Sequence, residues 1–339
     1  TVIAREQTYV HTFYKKEATA QQPATSKEEG NLVAFSGPDF KATFDKQSGL
    51  LTSYLYKKHE YILNGQGPRP FFWRAPTDND YGANLPVRLK AWKEASYQEP
   101  KAESFQVTPG SNATTIKVTY RFPQTDARWD ITYKIYASGV IKVDNRFVAE
   151  GDQAPMIPRV GLRMQLPESF TDLTYYGRGP KENYRDRRTS QFIGEYAIPV
   201  KDMYEPYVRP QENNHRTDIY WCALTDKTQR GLLLIADRTF ELNASNYPLE
   251  SMDSGDTIDN SAPRTEKTHH RHLTDPLPEK MVDLFIDYRM MGVGGDDSWG
   301  ATAHEPYLIR PGKENAIEYG FSLVPFDKKE DYKYLIRQY

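Results

Sequence analysis

In Lys117-Val118-Thr119-Tyr120-Arg121-Phe122, apolar and polar residues alternate, and the alternation resumes in Trp129-Asp130-Ile131-Thr132-Tyr133-Lys134-Ile135-Tyr136. The turn Ala137-Ser138-Gly139 then leads into Val140-Ile141-Lys142-Val143-Asp144-Asn145-Arg146-Phe147. A period of two, broken by turn residues, is the signature of antiparallel strands with one wet and one buried face. The same text runs outward in both directions. Upstream, Lys41 to Asp45 enters the turn Lys46-Gln47-Ser48-Gly49 and leaves through Leu50 to Tyr56. Downstream come Arg159 to Leu166, Asp218 to Leu224, Gly231 to Ala236, Thr239 to Asn243, Met281 to Tyr288 and Ala316 to Val324. One helix is expected, from Pro86 to Ala95, with proline at its start. The fold class is therefore all-β: a large antiparallel structure of two stacked sheets with few short helices.

The 339 residues carry 44 Lys plus Arg against 46 Asp plus Glu, a net charge of -2 that proposes neither nucleic acid nor an anionic membrane as partner. No apolar run approaches a membrane span. Aromatics at 13% argue against a disordered polyelectrolyte. Cys222, the single cysteine, sits in an apolar run and reads as a small buried hydrophobe. It forbids an internal disulfide, which is compatible with cytoplasm or a bacterial periplasm. The stretch from Lys15 to Gly30 has linker composition, after a strand-like Thr1 to Tyr14. A start at Thr1 without methionine suggests a piece of something longer.

Five runs stand apart from the strand text. Gly292-Val293-Gly294-Gly295-Asp296-Asp297-Ser298-Trp299 combines flexible glycines, two carboxylates and an indole. It reads as a loop tip holding a flat aromatic that suits the apolar face of a sugar, or as a plug of the loop onto the core. Phe71-Phe72-Trp73-Arg74-Ala75-Pro76-Thr77-Asp78-Asn79-Asp80-Tyr81-Gly82 reads as a side-chain-braced turn, with Arg74 paired to one of the aspartates. After it, Gly82-Ala83-Asn84-Leu85 offers a hinge for a mobile segment.

Tyr175 to Arg187 contains Gly177-Arg178-Gly179-Pro180-Lys181-Glu182-Asn183-Tyr184 and material for an ion network, but no nucleophile. Tyr204 to Arg216 includes Glu212 and His215, which could serve as an acid–base pair on a sugar hemiacetal or belong to a hydrogen-bonded loop. His270 and His272 share a strand face and could ligate a metal, although no third ligand announces itself nearby. Glycoside hydrolysis needs two carboxyl groups facing each other across the bond. No such pair can be assigned here, because adjacent Asp296 and Asp297 would diverge in an extended segment.

Together, Arg74 to Asp80, Gly177 to Tyr184, Asp202-Met203-Tyr204-Glu205-Pro206-Tyr207-Val208, His270-Arg271-His272-Leu273 and Met291 to Trp299 resemble the C-terminal small-chain region of bacterial glycoside hydrolase family 2 β-galactosidases. The resemblance implies a galactose-mutarotase-like β-supersandwich over residues 31–339. Residues 1–30 would then be the end of a preceding immunoglobulin-like domain plus linker. It implies a non-catalytic role, because the glutamates of the retaining reaction lie on a TIM barrel of the same polypeptide or of a large subunit. It implies Trp299 as an aromatic of the sugar pocket, with Gly82 and Arg88 in a mobile loop reaching to about Trp92. Arg74, Asp78, Asn79, Asp80, Glu182, Asn183, Asp296 and Asp297 would be structural motif residues. No cofactor is implied for this chain; Mg2+ and Na+ would belong to the parent enzyme, which would be a soluble bacterial homo-oligomer acting on β-galactosides. A free-standing aldose epimerase using Glu212 and His215, or a carbohydrate-binding module without chemistry, are the other readings of the same residues.

Overall fold

A computed structural model of the chain describes residues 5–8, 21–149, 156–255, 272–297, 299–310, 312 and 316–338. Strands β1 (Thr25–Glu29), β2 (Leu32–Ser36), β3 (Phe40–Asp45), β4 (Leu51–Tyr56) and β5 (His59–Glu60) form an antiparallel sheet in chain order. Alternation sends Val33, Phe35, Ala42, Phe44 and Tyr54 inward. The linker composition expected up to Gly30 gives way earlier: Thr25–Glu29 pairs with β2 along its whole length. All five of its residues are exposed, so it has no apolar face by which sequence could reveal it.

Strand β6 (Arg69–Phe71) leads to three short helices: α1 (Asp78–Gly82), α2 (Leu85–Arg88) and α3 (Lys90–Tyr97). The single helix expected over 86–95 is thus broken at Leu89, whose φ of -111° leaves the helical region. Leu85, Leu89 and Trp92 are all buried, so the segment after Gly82 is anchored at three points.

The larger sheet follows. It contains β7 (Ala102–Thr108), β8 (Thr114–Phe122), β9 (Ala127–Ile135), β10 (Ile141–Ala149), β11 (Arg159–Pro167) and β12 (Asp172–Gly179). It continues with β13 (Phe192–Pro199), β14 (Arg216–Thr225), β15 (Gly231–Ser245), β16 (Met281–Met290) and β17 (Ile317–Phe326), after which α4 (Tyr332–Gln338) closes the described chain. Its main path runs β13-β12-β14-β15-β17-β10-β9-β8-β7. The 15-residue β15 pairs with β14 along one edge and with two strands along the other: Gly231 to Ala236 pairs with β17, and Glu241 to Ser245 pairs with β16. β16 carries β11, which carries β6, so the sheet forks at β15. Every ladder is antiparallel, in agreement with the expected all-β class with few short helices.

The small sheet packs on the inner face of β7 to β10, where the Phe44 ring meets Tyr133 at 5.1 Å and Phe105 at 6.4 Å. Phe72 lies at the centre of a second aromatic knot, 5.0 Å from Trp92, 4.9 Å from Phe122, 5.5 Å from Trp129 and 5.4 Å from Phe147. Cys222 is fully buried within β14, and burial raises its thiol pKa. Because Phe72 ties β6 and α3 to β8, β9 and β10, Phe72→Ala is expected to cost about 3–5 kcal/mol by urea unfolding. A loss below about 1 kcal/mol would mean that the knot does not couple these elements.

Candidate functional site

Four of the five unusual runs converge, and they do so through side chains that reach from one loop to the next. Helix α1 starts at Thr77 with a reciprocal cap: the Asp80 N–H donates to Thr77 Oγ1 at 3.2 Å, and the Thr77 N–H donates to Asp80 Oδ2 at 3.0 Å. The same Asp80 carboxylate accepts both Arg74 Nε at 3.0 Å and Nη2 at 2.8 Å. Arg74, only 2% exposed, also donates to the carbonyls of Met291 at 2.7 Å and Gly292 at 3.1 Å. One guanidinium thus fastens the glycine loop to the α1 turn. Burial opposes its charge, but Asp80 more than compensates and raises its pKa.

The remaining contacts extend this pattern. Asp186 accepts the N–H groups of Val293 at 3.2 Å and Gly294 at 2.8 Å. Asn79 donates to the Asp297 carbonyl at 3.1 Å, while Asp78 pairs with Arg209 at 3.2 Å and accepts from Gln211 at 3.3 Å. Glu182 joins the third and fourth runs: it accepts from Arg187 at 2.6 Å, from the Asn214 N–H at 2.7 Å and from the Tyr207 hydroxyl. Asn183 spends both ends of its amide on backbone carbonyls of Arg178 and Lys181 and on Thr217. Where these loops meet is a polar cavity of about 250 Å³, lined in part by Asp78, Asn79, Tyr184, Arg187, Tyr207 and Glu212.

On the same glycine loop, Trp299 is 86% exposed, the most exposed aromatic among the described residues. The plug reading therefore fails. Its backbone is nevertheless held: Asp297 Oδ1 accepts the N–H groups of Trp299 at 2.8 Å and Ala301 at 3.0 Å, which lowers the Asp297 pKa. Asp296 turns the other way and contacts His304 at 2.8 Å. Gly82 is placed for close approach, since a Cβ there would sit 2.5 Å from the Trp299 carbonyl oxygen and 2.8 Å from Gly300 Cα. Arg88 is exposed and returns to the Ala83 carbonyl at 3.3 Å.

Glu212 is buried in the cavity wall and His215 is fully buried without lining it. His215 Nδ1 lies 2.5 Å from Asn243 Oδ1, Nε2 lies 2.9 Å from Glu241 Oε2, and the ring stacks on Tyr184. With both nitrogens engaged, the imidazole has none left for a substrate, and the acid–base reading loses its geometry. Burial lowers the His215 pKa, but Glu241 outweighs it and the net direction is up. Burial raises Glu241 while His215 and Arg185 pull it down, for a net lowering. Behind them, Asp287 is buried with Arg159 Nε 3.2 Å from Oδ2, yet neither oxygen achieves hydrogen-bond geometry. Burial pushes Asp287 up to about 7, against the pull of Arg159 and His215. His270 lies outside the described residues; His272 donates its N–H to Asp275. Among the described residues, no three His, Cys, Asp or Glu side chains converge to hold a metal.

Arg209 and Gln211 are the site residues that the sequence reading missed, and Asp186, expected in the ion network of its run, instead accepts backbone N–H groups of the glycine loop. Each is a polar residue within a run already singled out, but pairing across loops more than 100 residues apart leaves no local signal.

The model of the β-galactosidase small chain matches residues 36–323. The chain belongs to the β-galactosidase small-chain family. It is similar to a β-galactosidase of Priestia megaterium, 33% identical over 86% of this chain and 26% of that protein. It is also similar to a β-galactosidase of Lactobacillus delbrueckii subsp. bulgaricus, 32% identical over 88% of this chain and 28% of that protein. The chain thus spans about a quarter of the length of these relatives. Among solved structures, galactose 1-epimerase from Lactobacillus acidophilus is similar at a TM-score of 0.48 and 6% identity, covering 91% of this chain and 99% of that one.

Two outcomes follow from this geometry. Gly82→Ala is expected to displace the turn at 297–301 and speed amide exchange at Trp299 and Ala301, read by hydrogen-exchange mass spectrometry. Unchanged exchange would show that the two loops are independent. For Asp287, an unfolded carboxyl titrates near about 4, so between there and about 7 the native state alone holds the proton. Stability should therefore fall as pH rises through that window, and His215, raised from its ordinary value of about 6.5, adds to the fall from there upward as its proton is lost. Asp287→Asn is expected to flatten the pH 4–7 part of the urea-unfolding profile; an unchanged slope would contradict the assignment.

Proposed function

We propose that the chain is the non-catalytic C-terminal part of a glycoside hydrolase family 2 β-galactosidase and completes its sugar pocket through Trp299. The observation that carries this reading is an indole 86% exposed on a loop whose base is fastened by Arg74, Asp186 and Asn79. An exposed aromatic on a braced loop is a preorganised surface, so stacking on a sugar costs little ordering. The glutamates of a retaining hydrolysis would come from a TIM barrel on the same polypeptide or a large subunit, seated against the end that carries Trp299. The chain alone is then inactive, and the residues from Thr25 onward act as one unit, because Thr25–Glu29 pairs with β2, after the end of a preceding domain. The parent would be a homo-oligomer.

The helical segment after Gly82 would act as the pocket's responsive edge. Its exposed members Val87 and Arg88 face outward while Leu85, Leu89 and Trp92 anchor it. Movement there would be a shift of the exposed turn on buried anchors. No helix of the described residues is long and apolar enough to cross a membrane.

Stacking of about 1 kcal/mol corresponds to roughly fivefold in affinity. Trp299→Ala in the parent enzyme is expected to raise KM for galactosides, or the inhibition constant of galactose, by about that factor with unfolding unchanged. Identical kinetics across several galactosides would overturn the pocket role.

A further inference from the structure

The wet face of β7 to β10, β17, β15 and β16 forms a groove of about 940 Å³ that shares no lining residue with the polar cavity of the loop cluster, although its Arg185 and Arg289 lie within two residues of Asp186 and Met291. Its charges do not cancel. Each of its carboxylates is paired: Asp130 with Arg128 at 2.9 Å, Asp144 with Lys134 at 3.2 Å, and Glu318 with Arg146 at 3.5 Å. Lys142 crosses above Gly320 to bridge Asp144 at 3.1 Å and Asp237 at 2.6 Å. Lys117, Arg238 and Arg289, by contrast, make no ion pair among the described residues, and Arg289 Nε is buried without a hydrogen-bond acceptor. Arg289 also has the Arg185 guanidinium as an electrostatic neighbour, and burial ahead of that neighbour lowers its pKa.

Position along the sheet limits what could neutralise these cations. Register places Lys117 opposite Thr132, Thr132 opposite Asp144 and Asp144 opposite Gly320, with β15 next. Lys117 on β8 therefore stands four strand spacings from Arg238 on β15, roughly 19 Å at ~4.8 Å each. No single small anion spans that distance. Between the two ends lie Thr132, the paired Asp144 and Gly320, while Ser104 and Gln106 on β7 extend the polar lining beyond Lys117 and the Tyr288 phenol on β16 extends it beyond β15. There is no apolar stripe for an amphipathic helix.

We infer that this groove binds an extended anionic oligosaccharide, whose carboxylate or sulfate groups meet Lys117 at one end and Arg238 with Arg289 at the other. Its hydroxyls would bond to the polar floor. The saccharide part rests on the proposed function; the requirement for a long anion rests on the groove alone. It would give the chain a second carbohydrate site, one that retains charged glycans independently of the Trp299 end.

Calorimetric titration of the full 339-residue chain tests this with a sulfated galacto-oligosaccharide, an oligogalacturonate and a neutral galacto-oligosaccharide of matched length. At least one anionic probe is expected to bind, at least about tenfold tighter than the neutral one, and to weaken as salt shortens the screening length. The exposed double variant K117Q/R238Q should lose about tenfold or more at an unchanged unfolding midpoint. Trp299→Ala should leave this binding intact, which separates it from failure of the pocket role. The inference is overturned if neither anionic probe binds, if the neutral probe binds equally, or if K117Q/R238Q binds as the unmodified chain does. Equal affinity for polyglutamate would overturn its saccharide part.

Discussion

One buried guanidinium holds the working end of this molecule together. Arg74 is desolvated, and a desolvated charge left unpaired would be strongly destabilising. Asp80 supplies the countercharge while also capping α1, and the carbonyls of Met291 and Gly292 take two further donors. These demands are met only when the α1 turn and the glycine loop sit in one relative position. That position in turn sets where Asn79 meets the Asp297 carbonyl, where Gly82 presses on Trp299 and how far the indole projects.

The same logic explains why most polar residues of the unusual runs face one another and not solvent. Glu182, Asn183, His215 and Glu241 spend their hydrogen-bonding capacity on bracing, and a group so engaged is poorly placed to act on a ligand. The cost is visible in Asp287, whose burial outweighs its Arg159 neighbour and leaves it titrating near neutrality. Solvent is met instead by the exposed Trp299 and by the polar cavity that Asp78, Asn79 and Arg187 help to line. The aromatic knot around Phe72 and the forked β15 give that bracing a rigid base.

Much of the architecture was legible in period-two alternation. Lys117 to Phe147 announced β8, β9 and β10 because each has one dry and one wet face, and the turn at Ser138-Gly139 lies where the hairpin closes. Legibility failed where that contrast vanishes. Strand β1 is exposed on every residue, so its text is that of a linker. The expected helix over 86–95 divided because Leu89 departs from helical geometry, a departure that composition does not encode.

For the site, the local text marked out the segments: the runs around Arg74, Glu182, Glu212 and Trp299 each combine charge with glycine or proline that no strand requires. It also bounded the chemistry, since no facing pair of carboxyls could be assigned. Only the tertiary structure decided what each side chain does. It turned His215 and Glu212 from an acid–base pair into buried bracing, made Gly82 a point of backbone contact, and left Trp299 in the open. The physical reason is that burial and pairing belong to contacts between distant segments. Local sequence states which groups can bond or ionise, whereas long-range packing settles which of them meet water and which meet each other.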